Sequence, residues 1–480
     1  MKTKRLLAVT LAGVMALSAA GCNSVGKGKD DEIPTLTWVV PGEAQADIMS
    51  VMEEANKITE KEIGAKLDMQ FVEDSSFAEK MKLNMSANAD IDLYFTGWNN
   101  SYTNAVKNGG LMDITDLVEK TDGLKEALPD YIWEMAKIDG KIYGVPNLQI
   151  VAAAASVTVL DDIAAKYDFD FSNVKTIDDI EPYLEMVKNG EPGIYPYRPS
   201  TGVDPWYANK WESVASYIVL PKGATDTSEL KYLYDTEEFK HGAKQLWNWY
   251  QKGYIRKDAL SIGDDTADYQ NGKYAVSPGV WKPGAEVEQK KIIGKNSTFI
   301  KLEKPYMTKG KGLSTMISVG ANCKHPEKAV EFIKLINTNK ELYNLICYGI
   351  EGKHYTMENN RVKVISGSGY DNLGQCWKFG NTFNAKLMEG QDDNVWEETR
   401  KVNEEAEKSS LLGFVFDNTN VKTYLSNIST IISEYNAIDK GVKDPDTYMD
   451  EYISRLKEAG IEKVYDEVKK QLDEYFAKNK

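Results

Sequence analysis

Residues 35–74 read "TLTWVVPGEAQADIMSVMEEANKITEKEIGAKLDMQFVED", and the period of their apolar residues changes twice. Leu36 to Val40 is a short β-type run that Pro41-Gly42 breaks. Ile48, Val51, Ala55, Ile58 and Ile63 then recur at helical spacing before "AKLDMQFV" alternates again. The stretch is therefore a strand, a helix and a strand. A second helix around "SFAEKMKLNMSA" leads into "DIDLYFTGWNNSY" (90–102), a short buried strand that ends in an uncharged Gly-Trp-Asn-Asn loop. This β-α-β-α-β order implies a parallel sheet covered by helices. Ligands of such sheets bind outside the carboxyl ends of the strands, where the loops "VVPGEAQ" and "FTGWNNSY" would lie.

Upstream, "MKTKR" and the apolar run "LLAVTLAGVMAL" make a secretory signal over residues 1–21, too short to span a bilayer. It ends in "SAAGC", and Cys22 is the expected lipidation site. Ala19 stands where a lipobox usually has a branched aliphatic residue, so ordinary signal-peptidase cleavage is the alternative. Residues 22–34, the lipidated N-terminus and a flexible linker, would hold the folded body off the membrane. Loss of the signal lowers the formal net charge from −15 to about −18, which disfavours nucleic acid and broad contact with anionic lipid. About 460 mature residues exceed what one core supports, so two lobes are expected. Cys323, Cys347 and Cys376 remain after Cys22, an odd number that excludes full pairing and favours buried free thiols.

Downstream, "VAAAASVTVL" marks the crossing into a second lobe. In "KTIDDIEPYLEMVKNG", Thr176 and Asp179 suit a capping box, with Ile177, Ile180, Leu184 and Val187 as the buried stripe. "KGLSTMISVGANCKHPEKAVEFIKLINTNKEL" returns as strand then helix, with Pro326 suited to a first helical turn. The tail from Asp444 to Lys480 reads as two amphipathic helices separated at Gly460.

Catalytic signatures are missing. The chain has no G-x-S-x-G, Walker-type loop, H-E-x-x-H or paired C-x-x-C. Its three histidines, His241, His325 and His354, lack metal-ligand spacing, and "GDDTADYQNG" lacks the pattern of an EF-hand. Asp161-Asp162, Asp178-Asp179 and Asp264-Asp265 read as helix starts and solvated turns, weak evidence for a glycosidase pair. No enzyme, metal or cofactor is expected. Four tryptophans instead stand in predicted loops beside Gly, Pro or Asn: Trp98, Trp206, Trp281 and Trp377. Sugar C–H faces stack on such rings, while the hydroxyls need planar polar partners such as Asn, Asp, Glu and Arg. Those on hand are Asn99 and Asn100, Asp204 and Asn209, Glu286, and Asn381. Glu43 and Arg198 are further candidates; Arg198 could grip vicinal hydroxyls or pin a loop.

"DIDLYFTG", "GLMDITDLVEK", "DGKIYGVP", "YQNGKYAVSPGVW" and "GANCKHPEKAVEFIKLI", in this order and spacing, resemble successive landmarks of the extracellular solute-binding proteins of ABC importers. "YGIEGKHY", "KFGNTFN" and "LLGFVFDNTNVKTYLSNISTIISEY" resemble the sugar-binding, LipO-like lipoproteins with a C-terminal extension. The resemblance implies a two-lobe α/β fold of the periplasmic-binding-protein type (type II), with mixed or parallel sheets, a hinge and a helical C-terminal extension. On that layout lobe one is 35–149 plus 313–355, and lobe two is 150–312 plus 356–480. Trp98 then faces the cleft from lobe one, and Trp206, Trp281 and Trp377 face it from lobe two. The implied protein is a monomeric, lipid-anchored, extracytoplasmic binder of a neutral oligosaccharide that closes on its ligand and delivers it to permease subunits. A peptide or other organic solute, a secreted carbohydrate-active enzyme and a surface scaffold without a ligand are the alternatives.

Overall fold

β1 (Thr35–Pro41), α1 (Ile48–Ile63) and β2 (Lys66–Val72) form the unit that the opening stretch predicts. The computed structural model describes residues 33–372 and 375–479; the expected signal, Cys22 and the linker through residue 32 lie outside them. α1 buries Val51, Met52 and Ala55 against the sheet and stops at Gly64, whose φ of 62° is left-handed. β1 pairs in parallel with β2 and, on its other side, with β3 (Leu93–Gly97). The helix α2 (Asp74–Ser86) joins β2 to β3. Beyond β3 the sheet continues with Thr315–Val319, antiparallel, and then Gly144–Pro146. The first sheet is thus mixed, with the late return strand inserted beside β3.

A second sheet runs Ser297–Lys301, Ala154–Leu160, Tyr274–Trp281 and Tyr195–Tyr197. Its last two strands are parallel, so the loops after Tyr197 and after Trp281 leave the same edge. The capping box is present: Asp179 accepts from the Thr176 N–H at 2.8 Å, and Ile177, Ile180, Leu184 and Val187 are buried.

Two separate apolar cores follow from this arrangement. The first gathers Trp38, Phe95, Ile142, Ile317 and Ile333; the second gathers Val157, Tyr197, Leu246 and Trp249. The C-terminal helices Pro445–Glu458 and Ile461–Lys478 add Tyr452, Leu456, Ile461, Val464, Val468 and Leu472 to the second. One sequence boundary is corrected. The chain does not pass to the second lobe at Tyr355, because Val362, Tyr370, Cys376, Phe379 and Phe383 bury in the first core. This stretch is a hairpin, Tyr355–Glu358 with Arg361–Val364, followed by 3-10 turns, and it has no sustained period to read.

Among the described residues, three segments connect the lobes side by side. Ala153 bridges to Tyr306, and Tyr306–Met307 pairs in parallel with Glu407–Lys408. Two buried side chains hold them. Asn403 accepts from the N–H of Val151 (2.9 Å) and Ala152 (3.3 Å) and donates to the Gln149 carbonyl (2.7 Å). Glu212 accepts from the Tyr306 hydroxyl (2.9 Å), the Lys309 N–H (3.0 Å) and the Ser409 hydroxyl (2.6 Å). Cys323, Cys347 and Cys376 are free and buried, and no helix among the described residues is long and apolar enough to cross a membrane.

Candidate binding site

The loop after β3 projects its tryptophan outward because its backbone is spent on the fold. Gly97 N–H donates to the Asn100 carbonyl (2.8 Å), Trp98 N–H to Ser314 (3.0 Å), and the Asn100 amide to the Phe95 carbonyl (3.0 Å). A Cβ at Gly97 would sit 2.1 Å from the Ser314 oxygen, so this close approach requires glycine. Trp98 is left 49% exposed, edge-on to Phe95 at 4.7 Å and to Trp377 at 5.3 Å. Trp377 rides on the turn Cys376–Lys378, whose Trp377 and Lys378 carbonyls accept from Asn147 at 3.2 and 2.7 Å. Tyr343 donates to the Cys376 carbonyl at 2.7 Å. The two rings therefore form a fixed platform on lobe one. Trp377 joins it from this side and not, as the sequence layout has it, from lobe two.

Polar groups surround the platform. Asn99 donates to Asp74, the first residue of α2, at 3.4 Å, and its own Oδ1 is buried without a partner. Glu43 is exposed on the loop after β1, on the rim of a recess of about 320 Å³ that Asp74 and Lys378 also line.

On lobe two, Trp281 ends its strand opposite Ala154, at the hinge, with the Lys301 ammonium 4.0 Å over its ring. The next residues, Lys282 to Gly284, line a cavity of about 110 Å³ between the lobes, opposite Trp377 and Trp396. Asp204 lies after Tyr197 on the same edge and accepts from the Tyr207 hydroxyl at 2.7 Å. Solvent reaches it, yet surrounding atoms desolvate its carboxyl enough to push it above the usual carboxylate range. Next to it, burial and then the charge of Asp204 push Asp439 up to about 6.

Three candidates serve the fold instead. Trp206 is 6% exposed, packs on Trp249 at 5.4 Å and donates its indole N–H to Asp178 at 2.9 Å; it belongs to the second core. Its place next to Pro in a short helix hid a core position. Arg198 pairs twice with Asp265, at 2.9 and 2.6 Å, and lies 4.0 Å over Tyr269, which leaves it as the pin of a loop. Asn381 caps the turn Thr382–Asn384, accepting from Phe383 N–H at 3.1 Å and donating to the Asn337 carbonyl at 3.2 Å.

The family model described as "Bacterial extracellular solute-binding protein" matches residues 54–347. The chain belongs to the bacterial extracellular solute-binding proteins. A second model, a domain of unknown function, matches residues 410–477 of this solute-binding protein. A carbohydrate ABC transporter substrate-binding protein of Streptococcus pneumoniae serotype 4 is 32% identical over 512 residues, covering all of both chains. The N-glycan transport solute binding protein NgtS of Streptococcus pneumoniae is 28% identical, and its crystal structure superposes over 93% of this chain and all of that one with a TM-score of 0.82. Its complexes with Man1GlcNAc and Man5GlcNAc give 0.70 and 0.67 at the same identity. The two-lobe α/β fold is that of the family, and these relatives are substrate- and solute-binding proteins. Sequence reasoning passed over Lys378 and Asp74 in this site. Lys378 follows Trp377 directly, but its burial comes from residues distant in the chain.

Proposed function

We propose that the chain captures an oligosaccharide between its lobes and delivers it to the permease subunits of an ABC importer. It works as a monomer outside the cytoplasm, anchored by lipid on Cys22. The observation that carries this reading is the Trp98–Trp377 platform, an exposed aromatic surface beside the carboxylate of Asp74 and the amide of Asn99. Pyranose rings stack on such a surface while their hydroxyls bond to the polar groups around it. Trp281 and Asp204 are the proposed contacts from lobe two. The description of the full-length relative and the two NgtS complexes support a carbohydrate, and make mannose–GlcNAc glycans the first ligands to test.

Capture proceeds by closure. The higher TM-score with the NgtS structure described without a glycan supports reading the present arrangement as the ligand-free one. Ligand contacts in both lobes then shift the population to the closed form that the permease accepts.

A thermal-shift and calorimetry screen over Man1GlcNAc, Man5GlcNAc, other oligosaccharides and peptides tests the reading, with products analysed after incubation. Stabilisation by a glycan without new products is expected, because a ligand selective for the native state raises apparent stability. Glycan hydrolysis, or binding of peptides alone, would overturn it.

A further inference from the structure

Lys378 is 4% exposed, and its ammonium donates to one acceptor among the described residues, the Pro41 carbonyl at 2.9 Å. An ammonium has three N–H donors, and a buried one with neither a carboxylate partner nor a full set of acceptors is costly. Burial holds it below the usual lysine range, and the charge of Asp74 offsets this in part. Two donors are therefore left without an acceptor among the described residues, at a position next to the platform: the Nζ is 5.9 Å from the Trp377 ring.

The recess it lines is preformed. One wall is Gly42 to Ala46 and the other is Gly367 to Asn372. The walls are tied together, Asp47 N–H donating to the Gly369 carbonyl (2.9 Å) and Asp371 N–H to the Gln45 side chain (2.6 Å). Its volume of about 320 Å³ is within the range of small-ligand sites. The lining carries Glu43, Asp74 and Asp371, so an anion entering towards Lys378 would meet three carboxylates. A neutral polyol meets complementary partners throughout, since hydroxyl oxygens accept from the ammonium and hydroxyl protons go to the carboxylates.

We propose that this recess is a second saccharide subsite, which takes a neutral hexose unit extending from the one stacked on Trp98. Lys378 donates to two of its hydroxyl oxygens, and Glu43 and Asp74 accept from its hydroxyls. The inference rests on the oligosaccharide reading above and makes lobe one select for ligand length. Calorimetry on the full mature chain with Man1GlcNAc and Man5GlcNAc tests it. Wild type is expected to bind Man5GlcNAc more tightly, and both Lys378→Met and Glu43→Ala to lower the ratio of the two affinities about tenfold. Glu43→Ala keeps the test independent of folding, because the Glu43 side chain is exposed, whereas Lys378→Met frees the Pro41 carbonyl. If wild type binds both glycans and neither variant changes the ratio, the subsite is wrong and the oligosaccharide reading stands. If wild type binds neither of these glycans, the subsite proposal falls, and the oligosaccharide reading falls with it only when no other oligosaccharide of the screen binds.

Discussion

Trp98 and Trp206 share a chemistry and differ in what surrounds them. Trp98 is half exposed at the platform, so Trp98→Ala should lower glycan affinity at least about tenfold in calorimetry while the denaturation midpoint stays close to wild type. Trp206 fills the second core, so Trp206→Ala should cost roughly 3–5 kcal/mol in chemical denaturation, an effect on stability that does not need ligand. Asp439 makes a prediction in pH. Its carboxyl is pushed up to about 6 when folded, so the folded chain takes up a proton that the unfolded chain does not. Relative stability is then greatest below the ordinary carboxylate range and is lost as pH rises through about 6. Asp439→Asn should accordingly gain on the order of 2 kcal/mol over wild type at pH 7.5, and the gain should vanish near pH 4. Denaturant titrations at the two pH values check it; an equal gain at both would contradict it.

Among the elements, the hinge depends on buried side chains more than on strand length. Asn403→Ala would leave two N–H groups and one carbonyl of residues 149–152 without partners, for a loss of roughly 2–4 kcal/mol in urea denaturation. None of this was legible in the sequence, because Asn403 lies 251 positions from Ala152. What was legible is local and periodic: the change of period over residues 35–74 predicted β1, α1 and β2, and the Ile177–Val187 stripe predicted a buried helix face. The platform was half legible. Gly-Trp-Asn-Asn after a strand pointed to Trp98, but the side from which Trp377 approaches is set by Asn147 and Tyr343, whose partners no spacing rule connects. Between Tyr355 and Ala385, short turns replace periodic elements, and the lobe boundary was misplaced there.

At the scale of the whole molecule, the proposed closure would change the contacts that now join the lobes away from the hinge. Lys107, at the end of the helix Tyr102–Lys107, pairs with Asp417 of the C-terminal segment at 2.9 Å, across from the first core to the second. If this pair belongs to the ligand-free arrangement, Lys107→Met should raise apparent glycan affinity by up to about fivefold, the worth of an exposed ion pair. The central claim is that an oligosaccharide is held between lobes that close on it. Small-angle X-ray scattering during titration with Man5GlcNAc tests this most directly: the radius of gyration should fall and saturate with the calorimetric isotherm. Saturable binding with an unchanged radius of gyration would contradict it.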